Sequence, residues 1–393
     1  MIKRYENSGV LADFEEGIDD LKNANRHLPQ NHPLKVRCLH NLGESSQIRF
    51  GRLGDPVDLD EAITAQQQVV RLIPDNHPNM LGFLNSLGTS FGSRFRRLGN
   101  LVDLDEAITA QQEAVRLAPS GHPDKPTCLN NLGNYFESRF QRLGDLVDLD
   151  KAITAQQQAV RLAPNGHSNM SMYLNNLGIS FESRFERLGN LIDLDDAITA
   201  QQRAVRLTPD DHPDKPSRLS NLGNSLESRF GRLGNLPDLD EAITAQQHAV
   251  RLTPNDHPDK AGCLNNLAIS YESRFGHLGD LGDLDEAIRA QQQAIHLIPD
   301  GHPDKPMYLN NLGNFFESQF GCLGNIADLD KAITAKQQAI HLTPDDHPDM
   351  PMYLNNLGVS FQSQFGRFSN LVDLDEAITA KQQAVLLTPD GHP

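Results

Sequence analysis

Apolar residues recur along this chain at helical spacing, and the helical segments themselves recur every 45 residues. Around Gly223, the residues Leu219, Leu222, Leu226, Phe230 and Leu233 are three, four, four and three positions apart, which is the spacing of one buried helix face. Gly234 follows the last of them, where a glycine ends a helix by entering the left-handed region. A second, shorter stripe runs through Leu239, Ala242, Ile243, Ala249, Val250 and Leu252, and Pro254 stops it. Asp238-Leu239-Asp240-Glu241 reads as a capping box at the head of this second helix, with Asp238 as N-cap. Asn255-Asp256-His257-Pro258-Asp259 is turn chemistry. The unit is a long helix A, a short loop, and a helix B, and no strand-like alternation interrupts it.

The motif Asp-Leu-Asp-(Glu/Lys/Asp)-Ala-Ile starts at Asp58, Asp103, Asp148, Asp193, Asp238, Asp283, Asp328 and Asp373, with a degenerate copy at Asp13. A glycine marker sits at Gly43, Gly88, Gly133, Gly178, Gly223, Gly313 and Gly358, with Ala268 once in its place. Proline closes the repeats from Pro29 to Pro389. A single hairpin cannot bury its own stripe, so such repeats hold only as a stack. Residues 1–12 read as the remnant of a first helix A and its loop, and 13–393 as the array, with eight full hairpins after a leading helix B. Phe50, Phe95, Phe140, Phe185, Phe230, Phe275, Phe320 and Phe365 form an unbroken column, expected to be the central packing knob.

These residues resemble the tetratricopeptide repeat. Leu129, Leu132-Gly133 and Phe136 match its helix A, and Ala152, Ala159 and Pro164 match its helix B. The resemblance implies an all-α fold, a right-handed α-α superhelix of stacked hairpins that acts as a non-enzymatic protein-interaction scaffold. Two departures stand out. Helix B carries Gln156, Gln201 and Gln246, or Lys336 and Lys381, where the family has an aromatic, and the repeat is about 11 residues longer than the usual 34 or so. The text HPDKPMYLNNLG is similar to kinesin-light-chain-type repeats. The long form is similar to fungal arrays that often end in a caspase-like CHAT protease domain, which implies as an alternative a ligand-sensing arm of a larger protein.

In the family, the helix A positions two and three before the glycine, and one and four after it, face the concave ligand side. Two before it stand Asn41, Asn131, Asn176, Asn221, Asn266, Asn311 and Asn356; three before it stand Asn85, Asn130, Asn175, Asn265, Asn310 and Asn355. A carboxamide offers a donor and an acceptor together, matching a peptide backbone, so these columns are the candidate peptide-binding residues, with helix bracing as the alternative. Four after the glycine, Glu137, Glu182, Glu227, Glu272 and Glu317 form an acidic strip that favours a neutral or basic partner segment, unless it is only a solvated face. One after it, Asn134, Asn224 and Asn314 alternate with Ile179, Ile269 and Val359, a 90-residue rhythm.

Composition narrows the rest. A net charge of −17 argues against nucleic acid, and no apolar run approaches the ~20 residues of a membrane span. Cys38, Cys128 and Cys263 share one repeat position, so internal disulfides are not expected, and a reducing cytoplasm is the expected location. The loop histidines, His32 through His392, lie a repeat apart, too far to share a metal, and are expected to stabilise turns. The Asp pairs are expected to cap helices rather than to do acid–base work. No nucleophile elbow, phosphate loop or dinucleotide motif is present, so no catalytic residue, cofactor or metal is expected. The apolar face of the last helix B predicts end-to-end self-association or a longer parent chain.

Overall fold

The computed structural model describes residues 11–119, 121–164 and 166–388, with side chains from residue 14. Residues 1–10 of the expected first remnant, Pro389 and His392 lie outside the described residues. The secondary structure there is helical, in 17 elements. Helix α1 (Leu11–His27) is followed by the hairpins α2/α3 (Lys35–Leu53, Pro56–Leu72), α4/α5 (Met80–Leu98, Leu101–Leu117), α6/α7 (Lys125–Leu143, Leu146–Leu162) and α8/α9 (Met170–Leu188, Leu191–Leu207). Then come α10/α11 (Lys215–Leu233, Leu236–Leu252), α12/α13 (Lys260–Leu278, Leu281–Leu297), α14/α15 (Lys305–Leu323, Ile326–Leu342) and α16/α17 (Met350–Phe368, Leu371–Leu387). The chain forms two compact units, one ending at Leu207 and the other beginning at Thr208, and within each the successive hairpins stack. No helix among the described residues is long and apolar enough to cross a membrane.

Helix A ends as its sequence predicts. Gly54, Gly99, Gly144, Gly189, Gly234, Gly279 and Gly324 stand at φ between 65° and 72°. Each donates its N–H to the carbonyl of the column phenylalanine, at 2.6–2.8 Å. Ser369 takes the same conformation in the last hairpin, at φ 56°.

Helix B starts three residues earlier than the expected capping box. The N-caps are Asp55, Asn100, Asp145, Asn190, Asp280, Asn325 and Asn370, whose side-chain oxygens accept from the N–H two residues on at 2.9–3.2 Å. Asn235 makes no such bond, because the residue two on is Pro237, which has no N–H to donate. The expected cap Asp238 lies inside the first turn and is buried.

Buried aspartates at this position anchor the hairpin. Arg229 grips Asp238 with two bonds of 2.8 and 2.7 Å, and Arg139 grips Asp148 with two of 2.7 Å. Arg94, Arg184 and Arg274 hold Asp103, Asp193 and Asp283 in the same way. The third guanidinium nitrogen reaches the preceding helix B, from Arg139 to Asp105 at 2.8 Å and from Arg184 to Asp150 at 2.9 Å. One planar cation thus ties three helices, and it lies over an aromatic ring of its own helix A, Phe136 for Arg139 and Phe181 for Arg184.

The phenylalanine column is not the centre of the packing. Phe95, Phe185, Phe230 and Phe275 are buried, but Phe50, Phe140, Phe320 and Phe365 are only half-buried. The column sits three residues before the end of helix A, near the rim of the hairpin. The fully enclosed position belongs to helix B: Leu59, Leu104, Leu149, Leu194, Leu239, Leu284 and Leu329 are 0% exposed, as are the alanines three residues on.

The two helices of a hairpin come closest at the glycine marker. A Cβ added at Gly133 would stand 2.5 Å from Gln156 Cγ, and one at Gly178 2.6 Å from Gln201 Cγ. The glutamines that replace the family's aromatic therefore lie across the glycines, and Gln111, Gln156, Gln201, Gln246 and Gln291 are buried.

Four outcomes follow from this packing. Arg184→Gln leaves Asp193 buried beside Asp196 without a cation and is expected to cost about 3–5 kcal/mol in denaturant melts. Arg139→Gln costs less, because Lys151 already lies 3.6 Å from Asp148. The hydrogen bond from Arg139 holds the Asp148 carboxyl below its ordinary value. Its contribution is therefore complete above the unfolded-chain value of about 3.9 and is lost as pH falls through the lower folded value, which acid titration of the melting temperature will show. Phe230→Ala, at a buried member of its column, is expected to destabilise its unit by roughly 3 kcal/mol by calorimetry.

Candidate functional site

The loops between repeats are built by their histidines. The Nδ1 atoms of His32, His77, His122, His167, His212, His257, His302 and His347 each accept the backbone N–H two residues on, at 3.1–3.2 Å. The main chain thereby fixes the neutral tautomer, with the proton on Nε2. The turn role expected from the sequence is the one these side chains play. Among the described residues no group of three or more His, Cys, Asp or Glu side chains could hold a metal ion.

These loops and the first halves of the following helices A enclose a groove in each unit. In the second unit it measures about 850 Å³ and is lined by His212, His257 and His302, by Asp214, Asp259 and Asp304, and by Ser217, Ser220, Asn221, Gly262 and Asn266. In the first it measures about 920 Å³ and is lined by His77, His122, Asp124, Gly82, Asn85, Ser86 and Thr127, together with Arg37 and His40. The two are the same place in the repeat, since His77, Gly82, His122 and Thr127 lie 135 residues before His212, Ser217, His257 and Gly262. Both open where the helix A residue six before the marker is small. The exception is Arg37, which stands six before Gly43 and also lines the first groove; in the remaining repeats that residue is Met172, Met307 or Met352. The second groove is the more acidic: Asp210 and Asp211 also line it, and among its described lining residues there is no Lys or Arg.

The two asparagine columns bond to each other. Asn131 Nδ2 donates to Asn85 Oδ1, Asn176 to Asn130, Asn311 to Asn265 and Asn356 to Asn310, all at 3.0–3.1 Å and each between neighbouring hairpins. Asn85 and Asn265 also accept from the buried amides of Gln111 and Gln291. Asn130, Asn265 and Asn310 are buried, Asn175 is half-buried and Asn355 is exposed. The outer column, Asn41, Asn131, Asn176, Asn221, Asn266, Asn311 and Asn356, is half-buried throughout, and Asn221 and Asn266 line the second groove. Asn85, Asn130, Asn265 and Asn310 thus accept braces from Asn131, Asn176, Asn311 and Asn356, while Asn221 and Asn266 are the outer residues that contact the second groove.

The glutamate column is neither a groove wall nor a solvated face. Glu137 is buried, and Glu182, Glu227, Glu272 and Glu317 are half-buried. Ser183, Ser273 and Ser363 donate across to Glu137, Glu227 and Glu317 of the preceding hairpin at 2.7, 3.1 and 3.2 Å. Burial raises the carboxyl pKa of Glu227 and Glu272. None of these five lines the two grooves, so the acidity there comes from the loop aspartates and, in the first groove, from Glu44 as well. The period itself pointed to the aspartates: Asp124, Asp214, Asp259, Asp304 and Asp349 recur two after the loop histidine.

The 90-residue alternation has a packing cause. Where Asn134 or Asn224 follows the glycine, the buried Gln156 or Gln246 donates to it, at 3.1 and 3.5 Å. Where Ile179 stands there, Gln201 donates to Glu182 instead, at 3.4 Å.

No family model matches the chain, and no curated protein matches it. Solved structures do. The C-terminal part of a TPR repeat-containing protein from Cytophaga hutchinsonii is 15% identical over 79% of this chain and 95% of its own, with a TM-score of 0.49. BtubC from P. vanneervenii is 16% identical over 62% of this chain and 95% of its own, with a TM-score of 0.45. A Podosopora anserina kinesin-light-chain protein with nearly identical TPR-like repeats is 16% identical over 55% of this chain and 97% of its own, with a TM-score of 0.40. Among the described residues this chain is an all-α array of helical hairpins, and the solved structures it is similar to include TPR proteins.

Proposed function

We propose that the array is a protein-interaction scaffold whose groove holds an extended, neutral or basic polypeptide segment. The observation that carries this reading is the groove that returns at the same repeat position in both units, walled by loop histidines and aspartates and floored by helix A. A surface that repeats at a fixed interval suits a ligand that is itself extended, since an extended chain advances by ~3.3 Å per residue and passes several equivalent sockets. The carboxamides of Asn221 and Asn266 can pair with its backbone, and Asp259 and Asp304 set a preference for Lys or Arg side chains in the second groove, Asp214 being already held by Arg218 at 2.9 Å. The unit-one groove, with Arg37 and His40 among its lining residues, is less acidic and selects differently.

The test is fluorescence anisotropy with labelled ten-residue peptides of basic, neutral and acidic composition. The basic set is expected to bind best, with an affinity that falls as salt rises. Replacing Asn221 and Asn266 together by Ala removes two bonding groups of about 1 kcal/mol each and is expected to weaken binding roughly tenfold or more, with circular dichroism unchanged. Equal affinity for all three compositions, or a double variant that binds as the parent does, would defeat the reading.

A further inference from the structure

Two hairpins in this array carry a cation where their relatives carry an amide, Lys336 and Lys381, and the first of these is buried. Lys336, buried to 1% exposure, crosses Gly313 and delivers its ammonium to Glu317 Oε2, to Ser360 Oγ at 2.9 Å and to the carbonyl of Asn356 at 3.2 Å. Four repeats earlier the same positions hold Glu137, Gln156, Ser180 and Asn176. The framework is in the same register there. Gln156 crosses Gly133 as Lys336 crosses Gly313, and Ser183 donates to Glu137 Oε1 as Ser363 does to Glu317 Oε1. Gln156 is too short and too neutral to do what Lys336 does, and its amide N–H is turned away to Asn134. Glu137 Oε2, Gln156 Oε1 and Ser180 Oγ are all buried, in residues no more than 7% exposed, and none has a hydrogen-bond partner.

We propose that a monovalent cation of about the size of ammonium or potassium binds between Glu137, Gln156 and Ser180, in the place that the Lys336 ammonium fills in its own hairpin. The donor set is four oxygens, the Asn176 carbonyl included, with one carboxylate charge to balance. Hard oxygens at the 2.9–3.2 Å that Lys336 keeps from Asn356 and Ser360 suit a large monovalent ion; divalent ions draw their ligands in to ~2.0–2.6 Å. Water could bridge the three atoms, but it would leave the buried carboxylate charge unpaired, which is costly. In the neighbouring hairpin Ile179 replaces the asparagine and Gln201 donates to Glu182 directly. Gln201 Oε1 and Ser225 Oγ are buried and unpartnered there too, so what sets the Glu137 hairpin apart is its buried, unpartnered carboxylate oxygen. The trio returns 90 residues on as Glu227, Gln246 and Ser270, again with an asparagine, Asn224, drawing the amide away and with Gln246 Oε1 buried and unpartnered.

Thermal melts of the whole chain in potassium chloride and in tetramethylammonium chloride, at equal pH and ionic strength, test the proposal. Potassium is expected to raise the melting temperature by several degrees and to saturate, as ligation of the folded state requires. A chain carrying Gln156→Lys and Gln246→Lys supplies its own ammonium. It should melt alike in both salts, above the parent in tetramethylammonium. Crystals soaked in thallium(I), a potassium mimic with strong anomalous scattering, should show a peak between Glu137 and Gln156. Equal melting of the parent in both salts, or ordered water without anomalous signal at that point, would overturn the proposal.

Discussion

A polar side chain buried where helix B crosses the helix A marker governs much of what surrounds it in seven of the eight hairpins. Helix B lays a glutamine across the glycine of helix A, so closely that a single added carbon at Gly133 would collide with it. An aromatic at that point would need only volume. An amide needs volume and hydrogen bonds, because an unmade bond in a dry interior costs more than a made one returns. The asparagine of the inner column, the asparagine after the glycine, and the glutamate four after it each answer one of these amides. The columns that look like a ligand face are in part the consequence of burying glutamine.

The arginine fork meets a different demand, that of holding separate hairpins in register. Apolar contact between stacked helices is non-directional, and a long array of near-identical repeats could slide. A guanidinium that grips a buried aspartate with two parallel bonds, and a second aspartate on the preceding helix B with its third nitrogen, admits one spacing only. Desolvating that ion pair costs energy on its own, so the three-helix contact and the ring beneath it are needed to make it favourable. Where Gln319 replaces the arginine, Asp328 is met instead by Lys331 at 3.0 Å, and Gln319 keeps the bond to the preceding helix at Asp285. The demand for a cation beside the buried carboxylate persists when the residue supplying it changes.

Function sits on what these constraints leave over. Braces occupy much of the inner faces of the repeats, and the two grooves lie toward the loops, where the histidine turns and the variable residue at the head of helix A meet. Gly82, Thr127, Ser217 and Gly262 line the grooves at that position together with Arg37, and the methionines at the same position in other repeats present an apolar surface. An array with near-identical cores can therefore carry local specificity at one changing column without disturbing its packing.

The sequence by itself determined the periodic architecture: the 45-residue period, two helices per repeat and the glycine that ends helix A, because spacing and backbone conformation are properties of the local chain. It also placed the loop histidines in turns. Tertiary structure alone decided the partners. Asp238 has the look of an N-cap in the local text, and only the packing of helix A against helix B brings Arg229 to it and moves the cap to the residue before the helix. The phenylalanine column is invariant in the text, but its depth depends on how far it lies from the hairpin's centre. Asparagine and glutamate columns on one helix face read equally well as a ligand surface or as braces, since the face of a helix says nothing about what the next repeat places against it. Burial and hydrogen-bond partners are set by neighbours 9, 34 or 46 residues away, and no local pattern encodes them.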